Sequence, residues 1–104
     1  MYEVNIRTHF SAAHRLKGYA GSCSKIHGHN WDVEVFVRGK KLNKLGILVD
    51  YRHIKMLTAE VIKKLDHADL NALVEFGKLN PTSENLARFL FRELSKQING
   101  KTEE

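Results

Sequence analysis

Along the first part of the chain, apolar and polar residues change places at every step. From Val4 to Phe10 the even positions Val4, Ile6, Thr8 and Phe10 alternate with Glu3, Asn5, Arg7 and His9. That period of two predicts a half-buried strand, because successive strand side chains point to opposite faces. From His27 to Val37 the odd positions Trp31, Val33, Val35 and Val37 alternate with Asn30, Asp32, Glu34 and Arg38, which predicts a second strand. After a short extended run in GILVDYR the period lengthens. Ile54, Leu57, Val61 and Leu65 share one helical face, with Asp50 suited to cap that helix. Asn80-Pro81-Thr82-Ser83-Glu84 reads as a second helix start, with Thr82 as N-cap, Glu84 near the positive end of the dipole, and Leu86, Phe89, Leu90 and Leu94 on one face. The order strand, strand, helix, helix predicts an α+β fold in which both helices cover one face of an antiparallel sheet. Two strands alone are marginal in water, so the sheet is expected to gain strands from neighbouring subunits or from chain beyond Glu104.

Composition narrows the picture. At 104 residues, 42% hydrophobic and 28% charged, residues 1–104 are expected to form a single domain around one core. No repeat, low-complexity tract or linker interrupts it, and the one proline, Pro81, marks an element boundary. No apolar run approaches the ~20 residues needed to span a bilayer, and Glu3, Asn5 and Arg7 stand where a signal peptide needs an apolar block. A cytoplasmic protein without a membrane partner is expected. The 17 Lys and Arg against 12 Asp and Glu give a formal +5, which favours an anionic partner. Lys40, Lys41 and Lys44, and separately Lys63 and Lys64 late in the first helix, do not interleave with aromatics as in a single-strand binder, so no nucleic-acid partner is expected.

The candidate chemistry lies in CSKIHGHNW, residues 23–31. His27 and His29, two apart on an extended segment, project to one side, roughly 7 Å apart at their backbones. Continuing the first strand's parity from Phe10 through Ala12 brings His14 to the same inner face. Three neutral imidazoles make a borderline-soft site suited to Zn²⁺ with one coordination position open. His9 falls on the opposite face and His53 in a first helical turn, so both read as structural. Cys23 has three readings that residue chemistry leaves open: fourth ligand, inert residue, or reactive thiolate favoured by Lys25 in a Gly21, Ser22, Ser24 loop. LDHADLN, residues 65–71, is expected to close the first helix with Asp66 and His67 adjacent, either a proton-exchanging pair or a solvated turn.

Taken in order, FSAAHRL, CSKIHGH, GILVDYR, LDHADLN and NPTSENLA resemble the 6-pyruvoyl-tetrahydropterin synthase family over nearly the whole chain. The compact C-x-x-x-H-G-H spacing resembles its 6-carboxy-5,6,7,8-tetrahydropterin synthase branch, which serves queuosine and other deazapurine synthesis. The resemblance implies a tunnelling fold, strand-strand-helix-helix-strand-strand, whose subunits join their sheets into barrels, usually hexamers with active sites between subunits. It implies Zn²⁺ on His14, His27 and His29, Cys23 as general base, and Asp66 with His67 as proton relay. It implies that Thr82, Ser83 and Glu84 present hydrogen-bonding partners to the pterin ring, with Lys25 a contact for the triphosphate. The implied reaction converts 7,8-dihydroneopterin triphosphate to 6-carboxy-tetrahydropterin, acetaldehyde and triphosphate. Related sites give the pyruvoyl product, and a noncatalytic zinc- or pterin-binding paralogue is the other reading. The family continues past the second helix into two more strands that carry a pterin-anchoring glutamate, whereas this chain stops at NGKTEE. It is therefore read as incomplete at its C-terminus, and neither Glu103 nor Glu104 is given that role.

Overall fold

The computed structural model describes residues 1–18, 21 and 25–102, with side chains as far as Ile98. Two long strands, β1 (Tyr2–His14) and β2 (His27–Gly39), pair antiparallel, from Tyr2 opposite Gly39 to His14 opposite His27. Helix α1 covers Tyr51–Ile62 and helix α2 covers Ser83–Thr102, with two short 3₁₀ turns, Leu70–Ala72 and Val74–Phe76, between them. The chain is α+β, with an antiparallel sheet and both helices packed on one of its faces.

The alternation of the strands divides polar from apolar work. The even residues of β1 and the odd residues of β2 face the helices. Ile6, Phe10, Ala12 and His14 are buried there, and Trp31, Val33 and Val35 pack against the core. On the other face the register sets complementary partners opposite each other: Glu3 with Arg38, Arg7 with Glu34, Ser11 with Asn30. Such exposed pairs contribute little stability, but they favour this register over a one-residue slip that would turn every apolar side chain to water.

Helix α1 starts where Asp50 accepts a hydrogen bond from the Arg52 N–H at 2.9 Å, and it buries Ile54, Leu57, Thr58, Val61 and Ile62. It ends at Ile62, sooner than the apolar spacing suggests. Lys63 is the cap, and Lys64 lies beyond the helix rather than late in it. Leu65 is nevertheless wholly buried, because tight turns whose N–H groups return to the Ile62 carbonyl fold it back under the core. Helix α2 begins with Thr82, whose hydroxyl accepts from the Asn85 N–H at 3.1 Å, and it buries Leu86, Leu90 and Leu94. The GILV stretch pairs with no strand among the described residues, and Gly46 there takes φ +82°, a left-handed turn open to glycine.

The paired strands make a ribbon 13 residues long, and the molecule extends 53 × 21 × 21 Å. The helices cover β1 better than β2. A groove of about 780 Å³, bounded by Val33, Val35, Val37, Leu90 and Leu94, remains along β2.

Candidate metal centre

The site forms where the ends of both strands meet the start of α2. His14 closes β1 and His27 opens β2 directly opposite it, while His29 stands opposite Ala12. All three therefore share the inner face. Their rings lie 4.6 Å (His14 and His27), 5.2 Å (His14 and His29) and 4.7 Å (His27 and His29) apart at the centroids. One ring nitrogen from each lies within 4.8 Å of the others. A formed tetrahedral site with metal–nitrogen bonds of about 2.0–2.1 Å spaces such atoms by ~3.3 Å, so forming it would draw them together by about 1.5 Å at most.

Two of the rings have their tautomers set. His14 Nδ1 donates to the Pro81 carbonyl at 2.7 Å, and His27 Nδ1 donates to the Lys25 carbonyl at 2.8 Å. In both, Nε2 is left with its lone pair for a ligand, the usual way an outer hydrogen bond orients a metal-binding histidine. Burial lowers the His14 pKa from its ordinary 6.5, and the neighbouring His27 and His29 push the same way against the raising effect of the Pro81 carbonyl. The neutral, metal-binding form is thereby favoured. The residues present fit a borderline-soft divalent cation.

A second group lies at the free edge of β1. The Ser11 N–H donates to one Asp66 carboxylate oxygen at 3.0 Å, and the His67 N–H returns to the Ser11 carbonyl. The Ala13 N–H donates to the Ala68 carbonyl at 2.9 Å. The segment Asp66–Asp69 thus runs beside β1 like a short extra strand. His67, at φ 59°, occupies the left-handed region as the chain reverses, past the helix end rather than in its last turn. Its Nδ1 lies 3.1 Å from the second Asp66 oxygen, and the ring is otherwise exposed. The Asp66 pKa is lowered, chiefly by the Ser11 N–H; burial opposes this with a lesser raising effect, and the adjacent His67 and then His9 lower it further. His67, Ser11 and His29 border one open groove of about 650 Å³.

The chain after His14 is held by two carboxamides. Asn71 accepts from the Arg15 N–H at 2.8 Å and donates to the Arg15 carbonyl at 3.1 Å. Asn80 does the same for Lys17, at 2.8 and 2.9 Å.

Cys23 lies outside the described residues. Lys25 meets the cluster through its carbonyl, and its side chain is exposed. Thr82 caps α2, and the Ser83 hydroxyl accepts from the Trp31 indole N–H at 3.2 Å. Glu84 is exposed in the first turn of α2. Sequence reasoning passed over Trp31, Pro81, Ser11, Asn71 and Asn80. For Trp31 a signal existed, since a half-buried indole N–H at the histidines' parity needs a partner nearby.

A strand-strand-helix-helix chain with three convergent histidines at its strand ends defines a small metal-competent protein of the tunnelling fold. A solved 6-pyruvoyl tetrahydropterin synthase from Caenorhabditis elegans superposes with a TM-score of 0.82 at 29% identity, covering 91% of this chain and 77% of that one. The chain belongs to the 6-pyruvoyl tetrahydropterin synthase family, whose sequence model matches residues 3–104. An Archaeoglobus fulgidus protein assigned as a 6-carboxy-5,6,7,8-tetrahydropterin synthase is 40% identical over 90% of this chain and 76% of its own length. The Bacillus subtilis 6-carboxy-5,6,7,8-tetrahydropterin synthase is 35% identical over 94% of this chain and 68% of its own length. A Pyrococcus furiosus dihydroneopterin monophosphate aldolase is 34% identical over 90% of this chain and 75% of its own length. These relatives set the chain among enzymes of pterin metabolism. No helix among the described residues is long and apolar enough to cross a membrane.

Proposed function

We propose that the protein is a zinc-dependent 6-carboxy-5,6,7,8-tetrahydropterin synthase, a lyase that acts on 7,8-dihydroneopterin triphosphate and releases acetaldehyde and triphosphate, for queuosine or other deazapurine synthesis. The observation that carries this reading is the convergence of His14, His27 and His29, two of them with Nδ1 engaged and Nε2 free. Zinc held there would act as a Lewis acid on the hydroxyls of the substrate side chain. The chain's own residues would move the protons. Asp66, pinned by the Ser11 N–H, would hold His67 in the tautomer whose Nε2 can accept or return one. Cys23 is assigned the general base that takes a proton from the side chain, with His67 exchanging protons with it.

For the pterin ring, Glu84 is the contact best supported within Thr82, Ser83 and Glu84. The Thr82 and Ser83 hydroxyls each accept one hydrogen bond, from Asn85 and Trp31, and keep an O–H to donate, whereas the exposed Glu84 carboxylate supplies the acceptor that the pterin N–H groups need. Lys25 is assigned to the triphosphate. The reading also carries a cytoplasmic homo-oligomer, a hexamer with sites between subunits, built from a single domain. A sheet of only two described strands is in keeping with it.

The test is incubation of the zinc-loaded protein with dihydroneopterin triphosphate. Acetaldehyde and triphosphate should appear together, and Cys23→Ala should stop their release while zinc stays bound. Metal-loaded protein that yields no product would defeat the catalytic assignment. The Pyrococcus furiosus relative favours a second reading, cleavage of a dihydroneopterin monophosphate side chain. A phosphorylated two-carbon aldehyde in place of acetaldehyde would select it.

A further inference from the structure

We propose that Trp31 is a positioning residue for the three-histidine cluster, and that with Pro81 and Ser83 it forms an outer clamp tying the cluster to the start of α2. Trp31 follows His29 by two residues on β2, so its indole shares the histidines' face. It meets the His14 ring at 4.9 Å and 87°, and the His29 ring at 5.4 Å and 62°, both edge-to-face. Phe10 stacks against it at 5.2 Å and 15°. The indole N–H donates to the Ser83 hydroxyl at 3.2 Å, which fixes the ring's remaining freedom.

The same turn of chain acts on the cluster a second time. Pro81, itself fully buried, accepts the His14 Nδ1–H at 2.7 Å. Two residues at the start of α2 therefore set two of the three imidazoles, His14 directly and through Trp31, and His29 through Trp31. An imidazole at a strand end turns freely about its outer torsion unless something blocks it. His14 and His27 have backbone carbonyls for that purpose. His29 has its ring neighbours, of which Trp31 is the one anchored to a helix. Loss of such outer partners commonly weakens metal binding about 10- to 100-fold.

The clamp rests on the reading that this cluster binds a divalent cation, and the test separates the two. Trp31 is the only tryptophan of the chain, so emission excited selectively at the indole, beyond the absorption of the three tyrosines, reports from the site. Metal-free protein would be titrated with Co²⁺, following that emission and the ligand-field absorption of the bound ion. Wild type should show quenching that saturates at one ion per chain. Trp31→Leu should weaken Co²⁺ binding roughly tenfold or more and change the absorption spectrum. Trp31→Phe, which keeps a ring but no N–H, should fall between. Ser83→Ala leaves the carbon packing intact, and it should weaken binding severalfold and shift the Trp31 emission. Leu94→Ala, about 16 Å along α2 from Ser83, should destabilise the fold without altering the spectrum or affinity of the folded protein.

Wild type that binds no Co²⁺ overturns the metal reading itself. Wild type that binds, with Trp31→Leu and Ser83→Ala indistinguishable from it, overturns the clamp alone. So does Leu94→Ala weakening Co²⁺ as much as they do. Should Trp31→Leu not fold, Ser83→Ala decides.

Discussion

His14 and His29 offer the same ligand group from different surroundings, so removing each in turn separates metal binding from folding. His29 is exposed on β2, and His29→Ala should change metal-free stability by no more than about 0.5 kcal/mol. His14 is only 6% exposed, and His14→Ala leaves the buried Pro81 carbonyl without its donor, at a cost of about 1–3 kcal/mol. An unfolding entropy near 2.1 cal/mol/K per residue gives about 0.22 kcal/mol/K for 104 residues. In chelator, therefore, the His14→Ala midpoint should fall by about 5–14 °C and that of His29→Ala by about 2 °C at most. Zinc at a hundredfold excess over its Kd adds about 2.7 kcal/mol, or about 12 °C, to wild type. Both variants should lose most of that gain. Scanning calorimetry with chelator and then with zinc gives all six midpoints. A full zinc shift in His29→Ala, or a His14→Ala that tracks His29→Ala in chelator, would refute the reasoning.

Protonation gives a second handle, since burial holds the His14 pKa below 6.5 in the folded protein. As pH falls the unfolded chain takes up this proton first, so the contribution is full above about 6.5 and is lost as pH drops through the lowered folded value. Denaturant midpoints of metal-free protein should decline more steeply into mild acid for wild type than for His14→Gln. His67→Asn suits the left-handed backbone at φ 59° and should leave zinc content unchanged, while turnover falls about 10²- to 10⁴-fold in a stopped assay for acetaldehyde. Asp66→Asn still accepts from Ser11 but carries no charge, so it should cost less than His67→Asn in the same assay. Leu65→Ala empties a site with no solvent exposure and should cost about 2–5 kcal/mol, read as a lower urea midpoint with an unchanged slope.

The cluster could be read ahead of the structure because parity needs only an unbroken strand. Tyr2–His14 and His27–Gly39 each run 13 residues in continuous register, so counting by twos from Phe10 and back from Trp31 brings all three histidines to the core face. A single bulge would have sent His14 or His29 outward. The end of α1 was harder. Leu65 continues the apolar spacing of Ile54, Leu57 and Val61, so nothing in the local pattern marks Ile62 as the last helical residue. The stop is associated instead with contacts made far away in sequence. The segment after it turns the His67 N–H and the Ala68 carbonyl to the edge of β1, backbone groups that a continued helix would have kept for itself, and the Asp66 carboxylate adds a side-chain contact to the same edge.

The same distinction bears on the polar residues of LDHADLN and NPTSEN, several of which satisfy groups distant in sequence around the site. A strand that ends beside a functional site leaves backbone N–H and C=O groups that need partners. A carboxamide supplies one donor and one acceptor side by side, and Asn71 and Asn80 use both on Arg15 and Lys17, 56 and 63 positions away. Thr82 and Ser83 accept from a helix start and from Trp31. These side chains hold the frame around His14, so replacing them should disturb the metal before it disturbs pterin recognition. Glu84 and the outer side of the His67 ring, by contrast, are turned to solvent rather than to the frame.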